Sequence, residues 1–163
     1  MISAGSSPAT HGGCVVYKQV DDRPLFLLVT PKKKKGEPVK QEWLLPKGHI
    51  DLDEMAAETA LREAKEEAGV EGDVVDYIDT KEFSVPKEVV RARYFLVRLR
   101  KQGIPSEGKR EAIWLPSDQA IARASYAEVK DLLRSAEALL AAARLRARSS
   151  REPHQGMEEP SRG

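Results

Sequence analysis

Three glutamates at helical spacing are the first feature of this sequence that suggests chemistry. Glu63, Glu66 and Glu67 stand at i, i+3 and i+4, so on a helix their carboxylates share one patch. Like charges placed in this way repel, at roughly a few tenths of a kcal/mol for each pair. A hard divalent cation would remove this conflict, because it takes carboxylate oxygens as ligands. The alternative is an ordinary solvated acidic face with Arg62 and Lys65 as ion-pair partners.

Glycines bound the helix that carries these glutamates. The pattern predicts a helix from Met55 to Ala68 that ends at Gly69, a residue suited to the position just after a helix. Gly48 precedes the helix through a short loop, which can bring a backbone carbonyl near the acidic patch. The face of the helix that is predicted to sit close against a sheet consists of Ala57, Leu61, Ala64 and Ala68.

The order and spacing of these residues resemble a known signature. Its fixed positions here, with the intervals between them, are Gly48, five residues, Glu54, seven residues, Arg62-Glu63, two residues, Glu66-Glu67, one residue and Gly69-Val70. The arrangement resembles the signature of the Nudix (MutT-like) hydrolases. Ala64 stands where a bulkier aliphatic residue is usual in that family, and Met55 where a small capping residue often starts the helix. The resemblance implies an α/β/α sandwich around a mixed β-sheet, with the motif helix on one side and the C-terminal helix on the other.

The resemblance also implies a metal site and a reaction. The residues similar to the metal ligands of the family are the carboxylates of Glu63, Glu66 and Glu67 and the carbonyl of Gly48. Oxygen ligands suit Mg²⁺, for which Mn²⁺ can substitute, and the implied enzyme hydrolyses a nucleoside diphosphate linked to another group. Bound Mg²⁺ would neutralise phosphate charge and activate a water molecule. Because the chain has no thiolate cluster and three histidines, a structural zinc site is not expected.

Other residues of the motif are expected to position these ligands or to transfer the proton. Arg62 resembles the family arginine that orients the glutamates by charge-assisted hydrogen bonds. Glu54 resembles the glutamate that ties the loop to the helix, and Gly69 ends the motif. The general base is open between Glu63 and Glu66 of the motif and a glutamate on a later loop. The candidates on that loop are Glu107 and Glu111.

Two short stretches favour a dinucleoside polyphosphate as the substrate. Trp43 to His49 is similar to the segment that leads into the motif in hydrolases of those compounds, and Gly108 to Glu111 resembles the diphosphoinositol and dinucleoside polyphosphate branch. A basic rim would suit a long polyphosphate, and its candidates are Lys32, Lys33, Lys34, Lys35, Lys47, His49, Arg91 and Arg93. The lysine run can equally be a solubilising loop, and the arginines can both face solvent. The alternatives for function are hydrolysis of oxidised or normal dNTPs, removal of pyrophosphate from RNA 5′ ends, and a non-catalytic nucleotide sensor.

The remaining elements are read from hydrophobic patterns and turn residues. Strands are predicted at 13–17 and 24–29, joined as a hairpin, and at 74–85, 88–100 and 112–115; the stretch 43–45 is short and apolar and stops at Pro46. Ser117 is predicted to cap a short helix that ends near Ala124, and a longer helix runs from Tyr126 to about Ala147. We expect a flexible N-terminus at 1–12, a Nudix domain at 13–147 and a disordered tail at 148–163.

Composition excludes several classes of protein. The chain has 163 residues, with 27 lysines and arginines against 26 aspartates and glutamates, so its formal net charge is +1. This balance argues against binding of long nucleic acid by bulk charge. The single cysteine, Cys14, is expected in a buried strand; it excludes an internal disulfide framework and agrees with a reducing cytoplasm. No secretory signal or membrane span is expected, and the protein is predicted to be a monomer or homodimer that binds a small nucleotide.

Overall fold

A computed structural model describes residues 7–33, 36–38, 41–107 and 110–151 of the chain. The elements within these residues are β1 (His11–Val20), β2 (Arg23–Val29), β3 (Lys47–His49), α1 (Ala56–Ala68), β4 (Val70–Val85), β5 (Glu88–Gln102), β6 (Ala112–Pro116), α2 (Ser117–Arg123) and α3 (Ala127–Arg151). No helix in these segments has the length and apolar character needed to cross a membrane.

The strands form one mixed sheet. Its order is β4-β5-β1-β2-β6, and β3 pairs with one end of β1. β1 runs parallel to β5, whereas its pairs with β2 and β3 are antiparallel. The predicted hairpin of β1 and β2 turns at Asp21 and Asp22, whose φ angles of 52° and 63° lie in the left-handed region. Aspartate tolerates this conformation better than most residues, and such turns match the twist of paired strands.

Helices cover both faces of the sheet. α1 packs over one apolar cluster, which contains Val16, Leu27 and Val97, and α2 and α3 pack over the other, which contains Leu96 and Leu133. This double covering explains why β5 lacks a clean alternation of polar and apolar residues. From Tyr94 to Val97 each side chain is buried, because both sides of the strand meet a helix. The layers are those of the predicted α/β/α sandwich.

The buried face of α1 differs from the predicted one. Ala56 and Ala60 are buried, whereas Ala57 and Leu61 are only partly buried at the edge of the cluster. The face is rotated because two glutamates of the motif also lie on the buried side of the helix. Periodicity alone placed these carboxylates opposite the packed face, and that placement was wrong.

The helices that follow β6 differ from prediction at their ends. Ser117 is the first residue of α2 and makes no capping hydrogen bond, because the capping position is occupied by Pro116. α3 continues to Arg151, beyond its predicted end at Ala147. The rest of the predicted tail, 152–163, lies outside the described residues. At the other end of the chain β1 already begins at His11, and Cys14 is fully buried within it, as expected.

Candidate metal and active site

Two facing glycines allow β1 and β3 to approach α1 closely. Gly48 pairs with Gly12 across the two strands. A Cβ built on Gly48 would lie 2.0 Å from Oε1 of Glu63, and one built on Gly12 would lie 2.2 Å from the carbonyl oxygen of Ala56. Neither position has room for a side chain, which is a physical reason for glycine in a strand. The backbone of Gly48 is thereby held beside a motif carboxylate.

Glu54 links the loop before α1 to the helix itself. Its Oε2 accepts a hydrogen bond from Nε of Arg62 at 2.8 Å, and its Oε1 accepts one from Nη2 at 3.0 Å. The hydroxyl of Thr59 and the backbone N–H of Asp51 also donate to this carboxylate. These bonds, above all those from Arg62, lower the pKa of Glu54 from 4.5 to about 2. The carboxylate therefore stays ionised and fixes the guanidinium.

The other side of the Arg62 guanidinium faces the motif glutamates. Nη1 donates to Oε1 of Glu63 at 2.8 Å and contacts Oε2 of Glu66 at 3.2 Å. Nη2 donates to the carbonyl oxygen of His49 at 2.9 Å. A planar guanidinium holds its partners in a fixed geometry. Arg62 thus joins β3, the loop and two carboxylates in one network.

A loop glutamate completes a group of three carboxylates. Oxygens of Glu63, Glu66 and Glu107 lie within 4.8 Å of one another. The backbone N–H of Glu107 donates to the carbonyl oxygen of Glu66 at 2.9 Å, which docks the loop onto α1. Glu111 is exposed, and its backbone exchanges hydrogen bonds with Thr30. Of the two loop candidates for the base, the structure brings Glu107 to the motif and leaves Glu111 outside this group.

The third motif glutamate is the most deeply buried. Glu67 is 3% exposed, and its Oε1 lies 3.4 Å from Nη2 of Arg110. Burial raises the pKa of Glu67 to about 8; Arg110 opposes this rise and Glu63 adds to it. Burial also raises the pKa of Glu63. Two neighbouring buried carboxyls are oxygen donors that a hard cation would stabilise, so these residues fit a divalent metal.

Arg110 is a residue of this site that the sequence reasoning did not single out. Its guanidinium contacts Glu67 and Glu107, at 3.4 Å each, and donates to the carbonyl oxygen of Thr30 at 3.0 Å. It thereby connects the loop after β5 with Thr30, directly after β2, and with the buried end of the carboxylate group. The sequence signals were its position between the two candidate glutamates and its place in the stretch from Gly108 to Glu111 that resembles a branch of the family.

The structure brings only some of the predicted substrate-binding residues close to the candidate site. Lys32 and Lys33 are exposed, and Lys34 and Lys35 lie outside the described residues. Arg91 pairs with Glu82 at 3.3 Å. The guanidinium of Arg93 lies over the aromatic rings of Tyr77 in β4 and Phe95 in β5. Neither arginine contacts the carboxylate group.

Lys47 lies in β3 directly before Gly48 and lines a cavity of about 440 Å³. Its ammonium sits 4.8 Å from the centre of the Phe83 ring. Burial lowers the pKa of Lys47, and the negative charges of Glu67 and Glu88 oppose that shift. The other residues that line the cavity are mostly apolar or aromatic: Pro31, Glu42, Leu44, Leu45, Val85, Tyr94, Tyr126, Glu128 and Val129. The cavity therefore combines the ammonium of Lys47, which directly precedes Gly48 of the motif, with a lining that contains several aromatic rings.

The fold and the site together define an α/β/α sandwich with a carboxylate-rich loop–helix motif that fits a divalent metal. A profile of the NUDIX domain matches residues 10–136. The chain belongs to the NUDIX domain family, so the predicted family is confirmed.

Relatives of known name agree with this assignment. The chain is 31% identical over 140 residues to the MutT4 protein of Mycobacterium tuberculosis, covering 80% of this chain and 55% of that one. It therefore spans about half the length of that relative. It is 29% identical over 135 residues to the asymmetrical bis(5′-nucleosyl)-tetraphosphatase of Caenorhabditis elegans, covering 79% of this chain and 94% of that one. Both the predicted enzyme class and the expected resemblance to dinucleoside polyphosphate hydrolases agree with these names.

Solved structures support the same fold. The crystal structure of a C. elegans Ap4A hydrolase binary complex superposes with a TM-score of 0.68 at 26% sequence identity, covering 83% of this chain and 99% of that one. The NUDIX domain of Shewanella oneidensis NrtR, solved with ADP ribose, superposes with a TM-score of 0.66 at 19% identity, covering 84% and 91% of the two chains. The predicted α/β/α sandwich is confirmed.

Proposed function

We propose that this protein is a metal-dependent hydrolase that cleaves a phosphoric anhydride bond of a dinucleoside polyphosphate. The observation that carries the proposal is the carboxylate group of Glu63, Glu66 and Glu107. Arg62 orients two of its members at 2.8 and 3.2 Å, so the carboxylates are positioned before substrate arrives. Preorganised charge of this kind is the main contribution that proteins make to phosphoryl transfer.

The carboxylates of α1 and the backbone of β3 would hold the metal. The ligands would be Glu63, Glu66 and Glu67 with the Gly48 carbonyl, and Mg²⁺ is the proposed ion because the donors are hard oxygens. When bound, such an ion neutralises phosphate charge and lowers the pKa of a water molecule. Glu67, at 3% exposed, would be the most deeply buried ligand of this set.

Glu107 is the proposed general base. It belongs to the carboxylate group, but it lies on the loop after β5 and not on the helix. Arg110 contacts its Oε2 at 3.4 Å and can hold the side chain in place. Glu66 and Glu63 are the alternatives within the motif, because their oxygens lie within the same 4.8 Å limit.

The substrate class rests on relatives and on the cavity beside Lys47. Bis(5′-nucleosyl)-tetraphosphatases of C. elegans and mouse are 29% and 31% identical to the chain. The cavity of about 440 Å³ has the aromatic side chains of Phe83, Tyr94 and Tyr126 in its lining, which suit a nucleobase. Lys47, which lines this cavity directly before Gly48, would meet a phosphate oxygen of the substrate. Lys32 and Lys33, with their neighbours in the loop, are proposed to contact the remote part of the polyphosphate chain.

A product analysis tests the reaction and the substrate class together. Purified protein with Mg²⁺ would be incubated with diadenosine polyphosphates, oxidised and normal dNTPs, ADP-ribose, diphosphoinositol phosphates and 5′-triphosphorylated RNA. We expect the highest kcat/KM for diadenosine polyphosphates, and no turnover after chelation of the metal. Preference for dNTPs or RNA would refute the substrate class, and turnover of none of these compounds would refute the enzyme.

Variants of the motif test the metal ligands separately. Glu66→Gln and Glu67→Gln should each remove most of kcat, whereas Glu58→Gln, an exposed change on the same helix, should leave it within about twofold of the parent protein. Retained turnover in both ligand variants would contradict the proposed ligand set. Replacing Lys47 with Met should raise KM more than it lowers kcat, because a substrate contact outside the reacting group contributes uniform binding.

Cytoplasmic location and a monomeric or homodimeric state remain predictions. Size-exclusion chromatography with light scattering measures the second, and fluorescence of a tagged chain in cells measures the first.

A further inference from the structure

A second group of metal-ligating side chains lies apart from the carboxylate motif. A ring nitrogen of His11, a ring nitrogen of His49 and a carboxylate oxygen of Glu88 lie within 4.8 Å of one another. We propose that these three residues form a binding site for a divalent transition cation of the zinc class. The site would be additional to the proposed hydrolase centre.

The three residues come from three neighbouring strands. His11 of β1 stands opposite His49 of β3, and the first residue of β5 is Glu88. The two imidazole rings are 4.0 Å apart between centroids and are tilted by 44°. Sheet pairing therefore fixes the backbones of both histidines, so little of the site has to be ordered when a cation binds.

The spacing of two of the ligand atoms suits a tetrahedral ion. Nε2 of His49 lies 3.2 Å from Oε1 of Glu88, with which it forms a hydrogen bond. For metal–ligand bonds of about 2.0 Å at a tetrahedral angle, neighbouring ligand atoms are about 3.3 Å apart. The side chains of His49 and Glu88 are 70% and 40% exposed, so both can rotate to close the remaining distance to His11. Three protein ligands would leave the fourth position for water, as in exchangeable zinc sites.

A second layer of contacts orients the buried histidine. His11 is 5% exposed, and its Nδ1 lies 2.7 Å from Oγ1 of Thr10. That hydroxyl also accepts the backbone N–H of Arg91 at 2.9 Å. If the histidine donates from Nδ1, its Nε2 keeps a free lone pair, which is the arrangement that metal-ligating histidines use. Burial lowers the pKa of His11 to about 4, and Glu88 opposes this shift.

The donor set separates this site from the carboxylate motif. Two imidazoles and one carboxylate favour zinc, copper or nickel over Mg²⁺, whereas the motif offers oxygen ligands alone. Successive side chains of a strand point to opposite faces, so His49 projects away from the face on which Gly48 meets Glu63. The sequence expectation was that the chain has no structural zinc site, and sequence order did not bring His11 and His49 together.

Metal binding to the intact, untagged protein tests the inference. Saturating Mg²⁺ would fill oxygen sites, and Zn²⁺ binding would then be measured by calorimetry and Co²⁺ binding by visible absorption. We expect one equivalent of either ion, with visible bands that indicate nitrogen ligation. Affinity should fall more than about tenfold in His49→Gln and in Glu88→Gln, because even the outer contacts of a metal ligand contribute about 10- to 100-fold. Thermal unfolding would confirm that the variants fold.

Two control variants show whether Zn²⁺ binds at the proposed histidine site or at the carboxylate motif. Glu82→Gln removes an exposed carboxylate from β4, the strand paired with β5, and should leave the affinity unchanged. Glu67→Gln removes a ligand of the carboxylate motif and should also leave it unchanged. The proposal is overturned if no equivalent of Zn²⁺ binds, if His49→Gln binds as the parent does, or if Glu67→Gln abolishes binding. None of these readouts depends on turnover, so failure here is distinguishable from failure of the proposed hydrolase function.

Discussion

Replacing Glu54 with glutamine removes the charge that anchors Arg62 between the loop and α1. The folded pKa of about 2, against an ordinary value of 4.5, is caused first by the hydrogen bonds from Arg62. At 1.36 kcal/mol per pH unit this difference corresponds to about 3 kcal/mol. The side chain is 15% exposed, so solvent screens the interaction only in part. After this screening is allowed for, we expect Glu54→Gln to lower the free energy of unfolding by about 1–3 kcal/mol at pH 7.

The same pKa determines how this effect depends on pH. Because the folded pKa of Glu54 lies below its unfolded value, the stabilisation is complete above about pH 4.5 and is lost as the pH falls through about 2. The variant cannot ionise at this position and lacks this contribution at every pH. The difference in unfolding free energy between the two proteins should therefore be constant near neutrality and should narrow below about pH 4.5.

Urea unfolding of both proteins at several pH values measures this difference. Tryptophan fluorescence is a suitable signal, because Trp43 is buried in the folded chain. Glu58→Gln is the matched control: Glu58 is exposed on the same helix and accepts the Met55 N–H, which glutamine can also accept. The control should change stability by less than about 0.5 kcal/mol. A difference for Glu54→Gln below about 1 kcal/mol at pH 7, or one that persists unchanged in acid, would refute the assignment of Arg62 as the source of the stabilisation.

Three further perturbations test the packing and the site. Gly48→Ala places a Cβ 2.0 Å from a motif carboxylate oxygen. The variant should therefore lose most of kcat and be about 1–3 kcal/mol less stable in denaturant unfolding. Activity at the parent level would contradict the close approach of Gly48 to Glu63. In steady-state assays, Glu107→Gln should lower kcat by about 10²- to 10⁴-fold, as expected for a general base. The kcat of Glu111→Gln should stay within about twofold of the parent value. Equal losses in the two variants would count against Glu107 as the base. Leu133→Ala empties a fully buried position and should cost about 2–5 kcal/mol, but Leu145→Ala, at 65% exposed, should leave the melting temperature almost unchanged.

The motif and its elements were predictable because they depend on local spacing. Gly69 adopts φ of 70° at the end of α1, as the sequence indicated. The glutamates of α1 follow from helical periodicity, and the hairpin of β1 and β2 from the polar turn at Asp21 and Asp22. The burial of Glu63 and Glu67 could not be predicted in this way. Hydrophobic periodicity assigns a carboxylate to the polar face of a helix, whatever residues pack over it in the fold.

Contacts between distant segments explain what sequence reasoning missed. In the sequence Glu107 and Glu111 are equivalent as loop carboxylates, whereas in the structure Glu107 alone of the two joins the carboxylate group and bonds the backbone of Glu66. Arg110 reaches Glu67 because the same loop docks on α1. His11 meets His49 through strand pairing across the sheet. Each of these neighbours is set by tertiary pairing, for which a single sequence carries no spacing signal.

The parallel pairing of β1 with β5 has a consequence for synthesis of the chain. β1 is synthesised first but lies between β2 and β5. A residue such as His11, which pairs with Ala92 of β5, therefore has no partner on that side until β5 has been made. While the chain grows, one edge of β1 along its Cys14–Tyr17 segment has no strand to pair with, and an unpaired apolar edge invites association with other chains. Emergence of β5 from the ribosome therefore covers this edge of β1, and β6 pairs with β2 afterwards. A nascent chain stopped before β5 should associate with other chains, whereas one stopped after β5 and its loop should already hold the motif in place.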